Sequence, residues 1–352
     1  MCECLREHHE KITDYVSLLF RKSDLDFFKC MRLTKKTFQF LVTEMERTER
    51  FSLQRTITRG KPRTSTSTAL AATLWYLGNL NAQRDIAERF HISQGHLSMI
   101  VKDVVNCLCN MADTVIRWPN EAQIQAIEDS FETLANFPGV VGAIDGCHVP
   151  ILSPDDCQTD YLDRNQNHSV NLLAVCDVTK KFTYCFAGFP GSVHDQRVFT
   201  NSALGHAVEN YSTQHFASAH YHIIGDSAFK LHQHVMVPYK DTGGLTVRQN
   251  NYNKKLSQTR RVIENAFGFL KGRFRRLKRL ECKLSQVPNN IIACCVLHNI
   301  TVADETEIEM LLCDSDCTED TGCEKPVTRD STFNEANIAK RKRDLIAQSL
   351  LP

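Results

Sequence analysis

Between Gly139 and Ile224 the sequence breaks into short apolar runs, rich in β-branched and aromatic residues and fenced by polar residues, glycine or proline. Val140–Ile144, Val170–Val175, Phe182–Phe186 and Tyr221–Ile224 are each too short for an ordinary helix, and their composition suits strands. On either side the apolar residues fall three and four apart. That spacing predicts helices over 254–280 and 288–302 downstream. Upstream it is carried by Val16, Leu19 and Phe20, then Phe27, Phe28 and Met31, then Phe38, Leu41 and Val42. Short strands followed by long helices, behind a helical N-terminal region, limit the fold to a mixed α/β (α+β) core with a helical region attached.

At 352 residues the chain is long for one domain, and its texture suggests where it divides. Residues 1–66 read as a helical region. The stretch from Ser52 to Thr68, rich in Ser, Thr and Arg and holding Gly60 and Pro62, reads as a linker. Residues 67–112 read as three helices, at Leu70–Leu77, Gln83–Phe90 and Gln94–Leu108, with Asn81 and Ser93 as caps. The short turn His91-Ile92-Ser93 predicts a helix-turn-helix, in which Gln94, His96 and Ser98 would face a DNA groove. A plain helical bundle fits the same periodicity. Residues 113–138 are expected to be a helical connector, 139–302 the catalytic core, and 303–352 an acidic, then basic, flexible C-terminal tail.

The formal net charge is only +1, which excludes a uniformly basic coat but hides a strong segregation. Residues 254–283 carry 11 Lys and Arg against Glu264 and Glu281, whereas 303–324 carry nine acidic residues and no Lys or Arg. The 15 cysteines include no CxxC pair, so no zinc site is expected, and without a secretory route no disulfide framework is expected either. The opening residues lack the apolar run of a signal peptide, and no stretch is long and apolar enough for a membrane span.

Acidic residues stand where chemistry would want them. Asp145 follows the run Val140–Ile144 and precedes Gly146; Asp226 follows Tyr221–Gly225 and precedes Ser227. A carboxylate at the end of a buried strand is held rigidly and stays reachable, and hard oxygens are what Mg²⁺ or Mn²⁺ requires. Two such groups suit paired ions that clamp an in-line phosphoryl displacement. Glu264 lies at the margin of the apolar face built by Val262, Ile263, Ala266, Phe267, Phe269 and Leu270. The same helix continues into Lys271, Arg273, Arg275, Arg276, Lys278 and Arg279, a basic stripe suited to a polyanion. Asp195, beside His194, is a fourth candidate metal ligand, or a group that orients that histidine. His148 and His194 each adjoin a candidate ligand, and Lys340-Arg341-Lys342-Arg343 has the composition of a nuclear-import signal.

Four motifs, in order, resemble the PIF/Harbinger family of DDE transposases: Gly142-Ala143-Ile144-Asp145-Gly146-Cys147-His148, Gly191-Ser192-Val193-His194-Asp195-Gln196-Arg197-Val198-Phe199, Ile224-Gly225-Asp226-Ser227, and Glu264 through Phe274. The resemblance covers about residues 139–300 and implies an RNase H-like core. It implies Asp145, Asp226 and Glu264 as the catalytic triad, Asp195 as an additional metal ligand, and Mg²⁺ or Mn²⁺ as cofactor. The family hydrolyses DNA phosphodiesters with water, and a transposase then uses the freed 3′-hydroxyl for strand transfer. The resemblance further implies a Myb/SANT-like DNA-binding partner and a nuclear protein with a cytoplasmic pool, and it leaves self-association open. Cys147 replaces the family's threonine, and Ala228-Phe229 replaces its Gly-aromatic pair. Neither change removes a carboxylate, so both bear on substrate handling. The rival reading is a non-catalytic DNA-binding or adaptor protein on a transposase core.

Overall fold

The computed structural model describes residues 14–52, 64–210, 213–302 and 333–350. The segment around Gly60 and Pro62 and the acidic stretch 303–324 lie outside the described residues. The chain divides into two units. One runs through Leu108 and takes in Phe274–Arg276; the other holds Cys109–Arg273 and the chain from Leu277 onward.

The first unit is helical: α1 (Tyr15–Arg21), α2 (Asp24–Met31), α3 (Lys35–Glu46), α4 (Thr66–Gly78), α5 (Gln83–Arg89) and α6 (Gln94–Asn110). Asp14, Ser23, Thr34 and Ser65 cap the first four through their side chains. Of the expected apolar positions Leu19, Phe27, Phe28, Met31, Phe38 and Leu41 are buried and Val16, Phe20 and Val42 half-buried, and Phe20, Phe27 and Phe38 pack ring against ring. Ser93 caps α6, its hydroxyl accepting from the His96 amide at 3.2 Å, as the sequence suggests. Asn81 does not cap α5; its side-chain oxygen accepts from the Trp75 indole instead. The boundary expected between residues 66 and 67 falls inside the first turn of α4.

The second unit is built on a five-stranded mixed sheet: β1 (Val140–Pro150), β2 (Ser169–Cys176), β3 (Phe182–Pro190), β4 (His222–Ile224) and β5 (Val235–Met236). The strand order is β3-β2-β1-β4-β5. β2 pairs antiparallel with both β1 and β3, while β4 lies parallel to both β1 and β5. Helices α7 (Ala112–Val115), α8 (Glu121–Ala135), α9 (Asp195–Thr200), α10 (Ala203–Glu209), α11 (Thr213–Phe216), α12 (Val247–Arg273), α13 (Val287–Val302) and α14 (Phe333–Ser349) complete it. β2 is buried along its whole length, which explains its almost unbroken apolar run. No helix among the described residues is long and apolar enough to cross a membrane.

Several expectations need correction. β1 does not end at Ile144 but runs on to Pro150, paired with β2 throughout. β5 is only two residues long, too short to leave a pattern in the sequence. α12 begins seven residues before Lys254, at a capping box in which Thr246 Oγ1 accepts from the Gln249 amide and Gln249 Oε1 from the Thr246 amide. It ends at Arg273. The basic end of the supposed flexible tail is helix α14. Its Lys342 Nζ donates to the carbonyls of Ala219, Tyr221 and Gln233, at 2.7, 3.3 and 2.8 Å. Arg343 lies over the Tyr239 ring at 3.9 Å and donates to Pro238 O. Half of the basic run is therefore structural, and Lys340 and Arg341 face solvent.

His298, in the middle of α13, is fully buried; its Nε2 donates to Lys180 O at 2.9 Å. Burial pushes its pKa down to about 3, and the nearby charges of Arg273 and Lys180 press the same way while the hydrogen bond opposes them. The unfolded chain takes up this proton near pH ~6.5 and the folded chain does not, so its contribution to stability is intact above that pH and is lost as the pH falls toward 3, by at most ~1.4 kcal/mol per pH unit. We expect the melting temperature to fall between pH 7 and pH 4.5, and His298→Gln to reduce that fall by roughly one proton's worth. Thermal melts at both pH values check it; an equal fall in the variant would exclude His298 as a source.

Candidate active site

The site forms where β1 passes from one partner to the other. β4 is registered with β1 only along Val140–Ala143, the last pair being Ala143 with Ile224, whereas β2 pairs with it from Ala143 to Pro150. One residue past Ile144 the β4 flank of β1 is therefore open, and Asp145 stands at that opening with its side chain 16% exposed. Asp226 follows Gly225 just beyond β4, so the two carboxylates occupy equivalent places on neighbouring parallel strands, two residues past the last pair. An Asx turn fixes Asp226, its Oδ1 accepting from the Ala228 amide at 2.9 Å.

α12 brings the third carboxylate. Its buried face, Val262, Ile263, Ala266, Phe267 and Leu270, is the one expected from the spacing, and Glu264 lies at the margin, 43% exposed. One turn earlier stands Arg260. Its guanidinium donates to Asp145 Oδ2 at 2.6 Å with one nitrogen and to Glu264 Oε1 with another. Glu264 is thus joined to Asp145 through an arginine.

Asp195 is the first residue of α9 and is 9% exposed. Its Oδ1 accepts from Asn171 Nδ2, on β2, at 2.7 Å. A Cβ placed on Gly146 would stand 2.0 Å from that same oxygen. Asp195 thus enters through the space that a side chain at position 146 would fill. Alternation along a strand turns Asp145 the other way, toward α12. The two aspartates flank β1 from its two faces.

The electrostatics follow from this crowding. Burial is the main cause pushing the Asp145 carboxyl up to about 7; Arg260 opposes the rise, the charges of Asp226 and Asp195 add to it, and the Gly146 amide, donating to Asp145 Oδ1 at 2.9 Å, opposes it. Burial also raises Asp195, against the Asn171 hydrogen bond and with the charge of Asp226.

Among the described residues, no three His, Cys, Asp or Glu side chains stand close enough to hold a metal ion as they are placed. The donor set nevertheless suits one. All four groups are hard carboxylate oxygens on regular elements or beside strand ends, and Arg260 already shares one positive charge between Asp145 and Glu264.

A family model described as "DDE superfamily endonuclease" matches residues 144–299, which contain all four carboxylates. "Putative nuclease HARBI1" of Homo sapiens is 35% identical over 245 residues, 68% of this chain and 68% of its own length. The chain belongs to the HARBI1 family of Harbinger transposase-derived proteins. The Xenopus laevis protein of the same name is 29% identical over 249 residues, covering 69% of this chain and 70% of its own. "Protein ALP1-like" of Arabidopsis thaliana is 26% identical over 298 residues, 80% of this chain and 71% of its own. No solved structure matches the chain.

The candidate phosphate-binding residues separate on inspection. Lys271 is half-buried and donates to His148 O at 2.8 Å. Arg275 is half-buried, and Gln94 and His96 are exposed at the start of α6. Arg273 is fully buried. Arg276 is buried too, donating to Tyr76 O and Asn81 O at 3.2 and 2.5 Å and lying over the Tyr76 ring at 4.5 Å. These two guanidinium groups belong to the interior, which corrects the expected stripe. His148 Nδ1 bonds Ser169 Oγ at 3.2 Å, and His194 occupies the N-cap position of α9 without capping it.

Two residues of the site, Arg260 and Asn171, are not among the candidates expected from sequence. Arg260 is marked by its i,i+4 spacing to Glu264. Asn171 is marked as a polar residue inside the run Val170–Val175. We expect Gly146→Ala to destabilise the fold by ~1–3 kcal/mol by pushing on Asp195, and the cost to shrink when Asp195→Ala accompanies it. A double-mutant cycle in urea checks this, additive costs placing the clash elsewhere.

Proposed function

We propose that this protein is a divalent-metal-dependent DNA endonuclease, with Asp145, Asp226 and Glu264 as its catalytic carboxylates and Asp195 as an additional metal ligand. The observation that carries this reading is that four carboxylates, from β1, just past β4, α9 and α12, stand around the point of β1 where its pairing with β4 ends, Asp145 and Asp195 on opposite faces of the strand. The strand order β3-β2-β1-β4-β5, antiparallel on one side of β1 and parallel on the other, supports an RNase H-like core.

When bound, Mg²⁺ or Mn²⁺ would supply Lewis acidity to a scissile phosphodiester and to the attacking water. The chain's own residues do the positioning. β1 and its pairing with β2 hold Asp145; the Asx turn holds Asp226; Asn171 orients Asp195; and the buried face of α12 presents Glu264 on a rigid rod. The half-buried Lys271 offers a positive charge on the same helix as Glu264 for the phosphate backbone.

In the helical unit, α5, the turn at 90–93 and α6 support the helix-turn-helix reading, with Gln94 and His96 at the exposed start of the recognition helix and Arg275 as a backbone contact. A Myb/SANT-like DNA-binding partner and a nuclear location with a cytoplasmic pool belong to the same proposal, drawn from the family resemblance.

Cleavage of duplex DNA in Mg²⁺ or Mn²⁺ tests it. Asp145→Asn, Asp226→Asn and Glu264→Gln should each lower the rate by ~10²-fold or more while DNA affinity stays within a few-fold. Gln94→Ala with His96→Ala should instead weaken DNA binding by ~10-fold. DNA binding without cleavage under all conditions, a Myb/SANT-like partner included, would favour the adaptor reading.

A further inference from the structure

Arg260 stands between two groups that the proposed function assigns to a cation. Its two guanidinium nitrogens reach Asp145 and Glu264, and it does so from the helix that carries Glu264. One carboxylate is set by a strand and the other by the same helix one turn on, so the arginine spans them without strain in either element. A guanidinium is charged at every accessible pH, so no proton change on the arginine itself releases it. Only another cation, or loss of a carboxylate's charge, can.

We infer that Arg260 is an internal competitor for the cation site: it neutralises and bridges Asp145 and Glu264 in the cation-free protein, and a divalent ion must displace it to be bound by both. The inference rests on reading these carboxylates as a metal site. Three features of the structure support it. The guanidinium occupies oxygens of both carboxylates, Asp145 Oδ2 and Glu264 Oε1, that an ion shared between them would need. The way out is open, since the Arg260 side chain is 20% exposed and that of Glu264 is 43% exposed. Leaving requires only side-chain rotation, because α12 is held by Val262, Ile263, Ala266, Phe267 and Leu270, all buried.

The charges set the direction. Asp145, Asp195, Asp226 and Glu264 together carry four formal negative charges when ionised, and Arg260 answers with one. A divalent ion answers with two in a smaller volume, so it can win, but its affinity is reduced by the arginine it must move. Removing the arginine acts twice in the same sense: the competitor is gone, and so is a positive charge that repels the incoming ion. A residue that merely pre-shapes the site would do the opposite, since its loss would let the carboxylates part and weaken binding.

Mn²⁺ titrated by calorimetry into the full-length protein separates these cases. Arg260→Gln should bind Mn²⁺ about tenfold or more tightly than wild type. Arg260→Lys, which keeps the charge but cannot grip both carboxylates at once, should fall between the two, and Asp145→Asn should abolish binding. The cation-free Arg260→Gln protein should melt below wild type, its carboxylates having lost their counter-charge, and Mn²⁺ should restore more of its melting temperature than it adds to wild type. If Arg260→Gln does not fold, the Arg260→Lys affinity carries the test, with a value at or below wild type overturning the inference. Wild-type binding that Arg260→Gln leaves equal or weaker overturns the competitor role and leaves the metal-site reading standing. Absence of binding in wild type and both Arg260 variants overturns the metal-site reading, and the competitor with it.

Discussion

Everything at the candidate site depends on the unequal pairing of one strand. β1 is hydrogen-bonded to β2 from Ala143 to Pro150 but to β4 only up to Ala143. The first half, Val140–Ile144, is buried and its side chains are apolar; the second half has a free flank on the β4 side. A carboxylate placed any earlier would be buried in that apolar stretch without recompense. Placed at 145, it keeps the rigidity of the strand and gains a way to solvent. Asp226 meets the same condition at the end of the neighbouring strand, and α9 and α12 pack close enough to add theirs.

Gathering like charges in this way works against the fold, and the structure answers with specific contacts rather than with distance. Arg260 takes the Asp145–Glu264 side, Asn171 takes Asp195, and backbone amides take Asp145 and Asp226. The pKa of Asp145 is raised first by burial, with the charges of Asp226 and Asp195 adding to the rise and Arg260 opposing it. Crowded carboxylate oxygens on rigid supports are the donor set that suits a divalent cation.

Much of this was legible beforehand because it rests on local rules. Strand texture from Gly139, helical spacing around Glu264, the Ser93 cap and the acidic residues after apolar runs all depend on near neighbours in sequence. What escaped depends on partners far along the chain. The extension of β1 past Gly146 is decided by β2, and the two-residue β5 by β4. Arg273 and Arg276 look like members of a basic stripe, and nothing nearby in sequence says that they point inward; for Arg276 the partners are carbonyls at Tyr76 and Asn81. The same holds for Lys342, whose carbonyl partners lie about one hundred residues earlier.

Those distant partners also set a schedule for synthesis. The helical unit, though it opens the chain, includes Phe274–Arg276, so the ribosome must have passed residue 276 before Arg276 can meet Tyr76. The carbonyls of Ala219, Tyr221 and Gln233 wait longer still, for Lys342. The helical unit gains its last hydrogen bonds only after most of the second unit has been made, an overlap of the usual domain-by-domain order. The carbonyls that Arg276 and Lys342 satisfy stay with water until those two residues have been made.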